Sequence, residues 1–202
     1  MQEFLLHGTF VSVIGMVGLA WVIRGDFLWR DLFHYPGWFG WLAGPVLGMC
    51  TAVGGALLYE KIPRLRRFMP AEVLAMMRRM PVGLWLVVAV SGSAAEEILF
   101  RGALQPIFGM VITNLLFGFF HFWAQRRLLA YGIGAFLMGM LLSVVFSWTH
   151  SLLTVILMHT THNLVVSAWI MKSPRFGEGE DIREDQEDGS TPPLEPPGGN
   201  HT

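Results

Sequence analysis

Apolar stretches of about 20 residues, the length needed to cross a bilayer as a helix, recur six times along the chain. They run over about 4–23, 38–59, 81–105, 110–127, 130–148 and 150–171. Backbone polar groups in hydrocarbon must be bonded within the chain, so spans of this kind are helices. The expected fold class is all-α, a polytopic transmembrane helical bundle of about six spans. Composition agrees: of 202 residues 14% are charged, against about 25% in soluble domains.

The net charge of −1 hides a segregation, since eight of the fifteen acids lie beyond residue 177. Residues 60–80, "EKIPRLRRFMPAEVLAMMRRM", carry six basic residues and read as a solvated, headgroup-facing helix. Counting alternate sides, this loop falls on one face with Arg126, Arg127, Lys172 and Arg175. Lys and Arg mark the cytoplasmic side, so both termini are expected in the cytoplasm, in an inner membrane of bacterial type. Residues 1–172 then form the transmembrane domain, and the acidic, Pro/Gly-rich stretch 173–202 a disordered cytoplasmic tail. The N-terminus lacks a basic n-region and a small-residue cleavage site, and is read as the start of an uncleaved span. Scattered glycines suit close helix packing. The single Cys50 excludes an intramolecular disulfide and a cysteine-based zinc site, and is read as a small packing residue.

Ionisable groups within spans are costly and mark sites. Here they are Glu96, Glu97 and Arg101 in span three, His121 in span four, and His159 and His162 in span six, with Asn114 and Asn163 adding neutral polarity. His7 and His150 are read as interfacial. Glu97 and Arg101, four residues apart, share a helix face and can pair. Glu96 is turned about 100° away and is left for chemistry. Phe117 and His121 share a face, as do His159 and Asn163; His162 is rotated about 60° from His159 and is weighed as a packing residue. With helices starting near Ile112 and His150 and ending near Leu104, Glu96, His121 and His159 come to one level, about 12–14 Å from the face opposite the basic loops.

Three motifs in order resemble those of the CAAX-protease and bacteriocin-processing (Abi) family of intramembrane peptidases. EExxxR is present as Glu96, Glu97 and Arg101, FxxxH as Phe117 and His121, and HxxxN as His159 and Asn163, over about residues 81–170. The short stretch from Arg101 to His121 implies a tight turn between spans three and four. The resemblance implies a glutamate-dependent endopeptidase whose catalytic core comes from spans three, four and six. In it Glu96 is the general base for a water shared with His121, His159 and Asn163 stabilise the oxyanion, and Glu97, Arg101 and Phe117 support them. No cofactor is required by this scheme. Members are also described as metalloproteases, and Glu96, His121 and His159 offer a His₂Glu-like zinc set as the alternative.

The expected partners are the lipid bilayer and a membrane-anchored protein or peptide, not nucleic acid. Charge sidedness and helix depth place the site near the outer boundary, which favours cleavage of a C-terminal sorting signal, as in rhombosortase-like or myxosortase-like relatives. CAAX-type prenyl-protein processing is the alternative. A non-catalytic immunity or partner protein would be expected to lack a motif residue, and a metal or haem transporter would not need adjacent glutamates with an arginine four residues on.

Overall fold

The computed structural model describes residues 2–25, 30, 34, 37–62, 78–122 and 129–172. The acidic stretch 173–202, most of the basic loop, and Arg126 and Arg127 lie outside them. All regular elements among the described residues are helical: α1 (Gln2–Arg24), α2 (Gly37–Lys61), α3 (Val82–Glu97), a π-helical segment (Ile98–Leu104), α4 (Gln105–Phe122), α5 (Leu129–Thr149) and α6 (Leu152–Lys172). Four segments are long and apolar enough to cross a membrane: Gly37–Lys61, Val82–His121, Tyr131–Thr149 and Leu152–Lys172. Phe10–Arg24 is a shorter apolar helix. Large apolar side chains such as Val11, Val22, Trp38 and Leu137 stand exposed on the outside of the bundle, the surface an integral membrane protein turns to lipid.

The 40-residue apolar stretch Val82–His121 is not straight. Gly109 has φ 74° and ψ 171°, an extended left-handed conformation that only glycine adopts readily, and it breaks the helical path. Beyond it the chain returns on itself. Arg101 reaches Asn114, and the ring of Phe100 meets Phe117 and Phe120; thirteen residues of continuous helix would hold the first pair about 20 Å apart. This is the tight turn the short Arg101–His121 spacing implies. α-Helical bonding resumes at Gln105, before Gly109, and α4 is described to Phe122; residues 123–127 of the fourth apolar stretch lie outside the described residues.

Contacts give the directions of the remaining helices. α4 and α5 are antiparallel, with Gly118 against Gly132 and Phe136, and Asn114 beside Met140 and Ser143. α3 and α6 are antiparallel, with Ser93 paired to Asn163 and Glu97 to His159. α2 and α6 run parallel along their length, from Gly44 against Thr154 to Tyr59 against Trp169. This seam rests on a stripe of small residues, Gly40, Gly44, Gly48 and Ala52, all buried. Small residues let two backbones approach within a membrane, where burial of apolar area drives little. At Gly48 an added Cβ would collide with the Met158 carbonyl and lie 2.9 Å from Thr161 Cβ. Gly48→Val is therefore expected to lower thermal stability by about 1–3 kcal/mol, the usual cost of overpacking. Gly54→Ala, with nothing within 4 Å of its added carbon, should leave stability unchanged or raise it. Thermal unfolding of both variants in detergent measures the contrast. Cys50, on another face of α2, is exposed and does not pack inside.

Burial is uneven along the bundle. In α3 no residue before Ser93 is buried, whereas nearly all from Ser93 to Gln105 are buried or half-buried. In α6 the buried side chains run from Leu152 to His159, and below that only Ile170 joins them. The buried core of Phe100, Phe117, Leu142, Val145, Phe146, Leu152, Val155 and Met158 fills the end that holds the turns at Gly109 and His150. The opposite half, toward residues 60–80, is loosely filled among the described residues.

Candidate active site

The boundary between these halves is where the intramembrane polar residues meet. Glu97 and Arg101 are both fully buried and joined by a 3.0 Å bond from Arg101 Nη1 to Glu97 Oε1. This is the pairing that their spacing predicts. The other terminal nitrogen, Arg101 Nη2, donates to Asn114 Oδ1 at 3.1 Å and to the Gly139 carbonyl at 2.9 Å, so one guanidinium ties α3, α4 and α5. The guanidinium carbon also lies 4.7 Å from the centroid of the Phe117 ring, a cation–π geometry. The π-helical segment beginning at Ile98 surrounds this arginine. Widened turns of that type are frequent at functional sites, and periodicity alone does not reveal them.

Glu97 has a second partner that spacing along its own helix could not disclose. Its Oε1 lies 2.7 Å from His159 Nδ1 on α6. An ionised carboxylate only accepts, so Nδ1 carries the hydrogen and Nε2 is turned the other way. There it meets Glu96, whose Oε2 lies 3.8 Å from His159 Nε2. Adjacent glutamates thus flank the two nitrogens of one imidazole. Glu96 keeps 26% side-chain exposure where Glu97 has none.

His121 is fixed in the same tautomer by a different acceptor. Its Nδ1 lies 2.7 Å from the Phe117 carbonyl, which can only accept, so Nε2 is again the free nitrogen. Phe117 is a hub: its ring centroid is 4.5 Å from that of His121, 4.9 Å from Phe100 and 6.2 Å from His159. The Phe of FxxxH thus supplies a backbone acceptor and a ring wall between two histidines. Asn163, one turn below His159, donates Nδ2–H to Ser93 Oγ at 3.0 Å. His162 turns away to α2, with Nδ1 3.0 Å from Thr51 Oγ1, as its rotation on the helix predicts. His150 sits in the α5–α6 turn with φ 50° and is exposed.

Residues 78–165 match the family model of type II CAAX prenyl endopeptidases, Rce1-like. This segment is similar to the CAAX-type protease family. The matched range contains every residue of the three motifs, and Asn114 and Ser93 besides. With four apolar helices of membrane-crossing length, the chain is an integral membrane protein with a segment similar to these endopeptidases; α1, α2 and residues beyond 165 lie outside the match. No curated protein and no solved structure matches the chain.

Within this Rce1-like segment the zinc alternative can be tested on donor geometry. Among the described residues no group of three His, Cys, Asp or Glu side chains is gathered closely enough to hold a metal ion. Glu96, His121 and His159 are therefore not assembled as a ligand set, and no chemical step is routed through a metal here. Sequence reasoning missed two neighbours. The Tyr131 ring centroid lies 5.5 Å from that of His121. Ser93 bonds Asn163. Tyr131 carries no motif spacing. Ser93 lies three and four residues before the glutamates, a helical spacing that could have flagged it.

Proposed function

We propose that the chain is a glutamate-dependent intramembrane endopeptidase that hydrolyses a peptide bond of a membrane-anchored protein. The observation that carries this reading is His159 flanked by Glu97 at Nδ1 and Glu96 at Nε2. Glu96 takes a proton from water as it attacks the scissile carbonyl, with His121 Nε2 as the second acceptor for that water. Asn163 offers its amide hydrogen to the developing oxyanion, and the His159 ring, held through Nδ1 by Glu97, stands one turn away on the same helix. Glu96 then returns the proton to the leaving amine. General-base catalysis contributes about 10²–10⁴-fold, and an oxyanion donor about 10²–10³-fold.

Three features bear on the side of entry. The core fills the half around Gly109 and His150, the site lies at its edge, and the loosely filled half leads toward the basic residues 60–80. Basic loops mark the cytoplasm. A scissile bond arriving from that end suits CAAX-type processing of a lipid-anchored C-terminus, and this is the substrate class we favour. The directions of α2 to α6 also fit alternating passes, with Lys61 and Lys172 on that side. Depth gives some support to sorting-signal cleavage near the outer boundary. His159 lies about 10 Å along α6 from Leu152, the outer end in this topology. Glu96, however, stands midway between Val82 and Gly109, about 20 Å from each.

Labelling of single cysteines introduced between residues 63 and 77 of a Cys50→Ser background decides the side. We expect an impermeant maleimide to react only after the cells are permeabilised. Reaction in intact cells would put the basic loop outside and remove the cytoplasmic processing reading.

A further inference from the structure

Ser91 and Ser93 lie on either side of Gly92 in α3 and use their hydroxyls differently. Ser91 Oγ donates to the Val87 carbonyl at 2.6 Å, the usual resting place of a helical serine. Ser93, buried at 2% exposure, makes no such bond among the described residues. Its oxygen accepts from Asn163 Nδ2 on α6. One turn along both helices, Glu97 meets His159. Ser93–Asn163 and Glu97–His159 are therefore two rungs between antiparallel helices, and each rung holds one member of HxxxN.

We propose that Ser93 is a positioning residue of the hydrolytic site, holding the Asn163 amide in the plane from which it meets the oxyanion. The inference rests on the peptidase reading above and goes beyond its three motifs. The terminal torsion of an asparagine is broad and roughly two-fold, so its helix does not fix the amide plane. Spending one Nδ2 hydrogen on Ser93 fixes that plane and leaves the second hydrogen aimed from a known direction. A donor that costs no reorganisation as charge develops is what such a site requires. The Ser93 hydroxyl hydrogen, which has no acceptor among the described residues, remains free on the same rung.

The test is a double-mutant cycle on the full chain in detergent–lipid micelles. The probe is an internally quenched peptide bearing a farnesylated cysteine fourth from its C-terminus, with a membrane-anchored reporter in vesicles as the second probe. Ser93→Ala should lower kcat about tenfold, the scale of one neutral hydrogen bond, with KM unchanged. Ser93→Cys, close in volume and a weak acceptor, should match it, and Ser93→Thr should restore most of the rate. Asn163→Ala should cost about a hundredfold. The double variant should be no slower than Asn163→Ala alone, because Ser93 then has nothing left to position. Multiplicative losses, or a wild-type rate in both Ser93→Ala and Ser93→Cys, overturn the proposal. Glu96→Gln separates the two claims. If it is inactive while the Ser93 variants cleave normally, Ser93 alone is misassigned. If it retains activity, Glu96 is not the base and the hydrolytic site assigned here falls with it; if wild type cleaves neither probe, the peptidase reading falls and this proposal with it.

Discussion

Glu96→Gln is expected to lower proteolysis at least about a thousandfold while leaving the yield of folded protein at the wild-type level. The substitution keeps volume and shape and removes only the basic oxygen. Glu96 has 26% side-chain exposure, and its approach to His159 at 3.8 Å is longer than a hydrogen bond, so little folding energy depends on it. Glu97→Gln, one residue on, should behave differently. It weakens the partner of Arg101 and offers His159 Nδ1 an amide that can present either a donor or an acceptor. Loss of activity there should come with lowered stability. Cleavage rates and thermal unfolding measured on both variants separate the two roles. A well-folded Glu96→Gln protein that cleaves at the wild-type rate would remove Glu96 as the general base.

The division of labour between these glutamates was half legible in the sequence. Helical azimuth pairs Glu97 with Arg101 and leaves Glu96 apart, and the structure bears out the pairing because four residues return a side chain to the same face. What azimuth cannot supply is the neighbour across a helix interface. That Glu97 also holds His159 depends on α3 and α6 being antiparallel with Ser93 and Asn163 in register. Motif order brings those helices into consideration without aligning them. Likewise, the apolar stretches mark where helices lie among the described residues, four of them of membrane-crossing length, but the ends depend on local backbone chemistry. The reversal falls at Gly109 because a left-handed residue is needed there, and no apolarity count marks it.

Depth shows the same limit from the other side. Counting 1.5 Å per residue from guessed starts brings Glu96 and His159 to one level, and they do meet. It also put both near the outer boundary. The turn lies at Gly109, five residues beyond Leu104, which puts Glu96 about 20 Å along the helix from it. His121 stands one residue before Phe122, the last described residue of α4.

Arg101→Leu is expected to abolish accumulation of folded protein, the largest stability effect of any single site variant. Arg101 is fully buried and makes three hydrogen bonds, to Glu97, Asn114 and the Gly139 carbonyl, besides covering the Phe117 ring. Removing one member of a buried pair leaves the other charge uncompensated, at a cost of about 3–5 kcal/mol, a large part of a typical stability of 5–15 kcal/mol. Here the abandoned group is Glu97, which has 0% exposure and cannot recover solvation without opening the helix contact. Arg101→Lys keeps the charge but has no planar fork to reach Asn114 and Gly139 at once, so it should fold with intermediate stability. The decisive comparison is the pair Arg101→Leu and Arg101→Leu/Glu97→Leu. If the isolated carboxylate is the main cost, the double variant should regain folded yield and thermal stability while staying inactive, because His159 has lost the acceptor that sets its tautomer. A double variant no more stable than Arg101→Leu would mean that the bonds to Asn114 and Gly139, not the charge pair, hold α4 and α5 to the site.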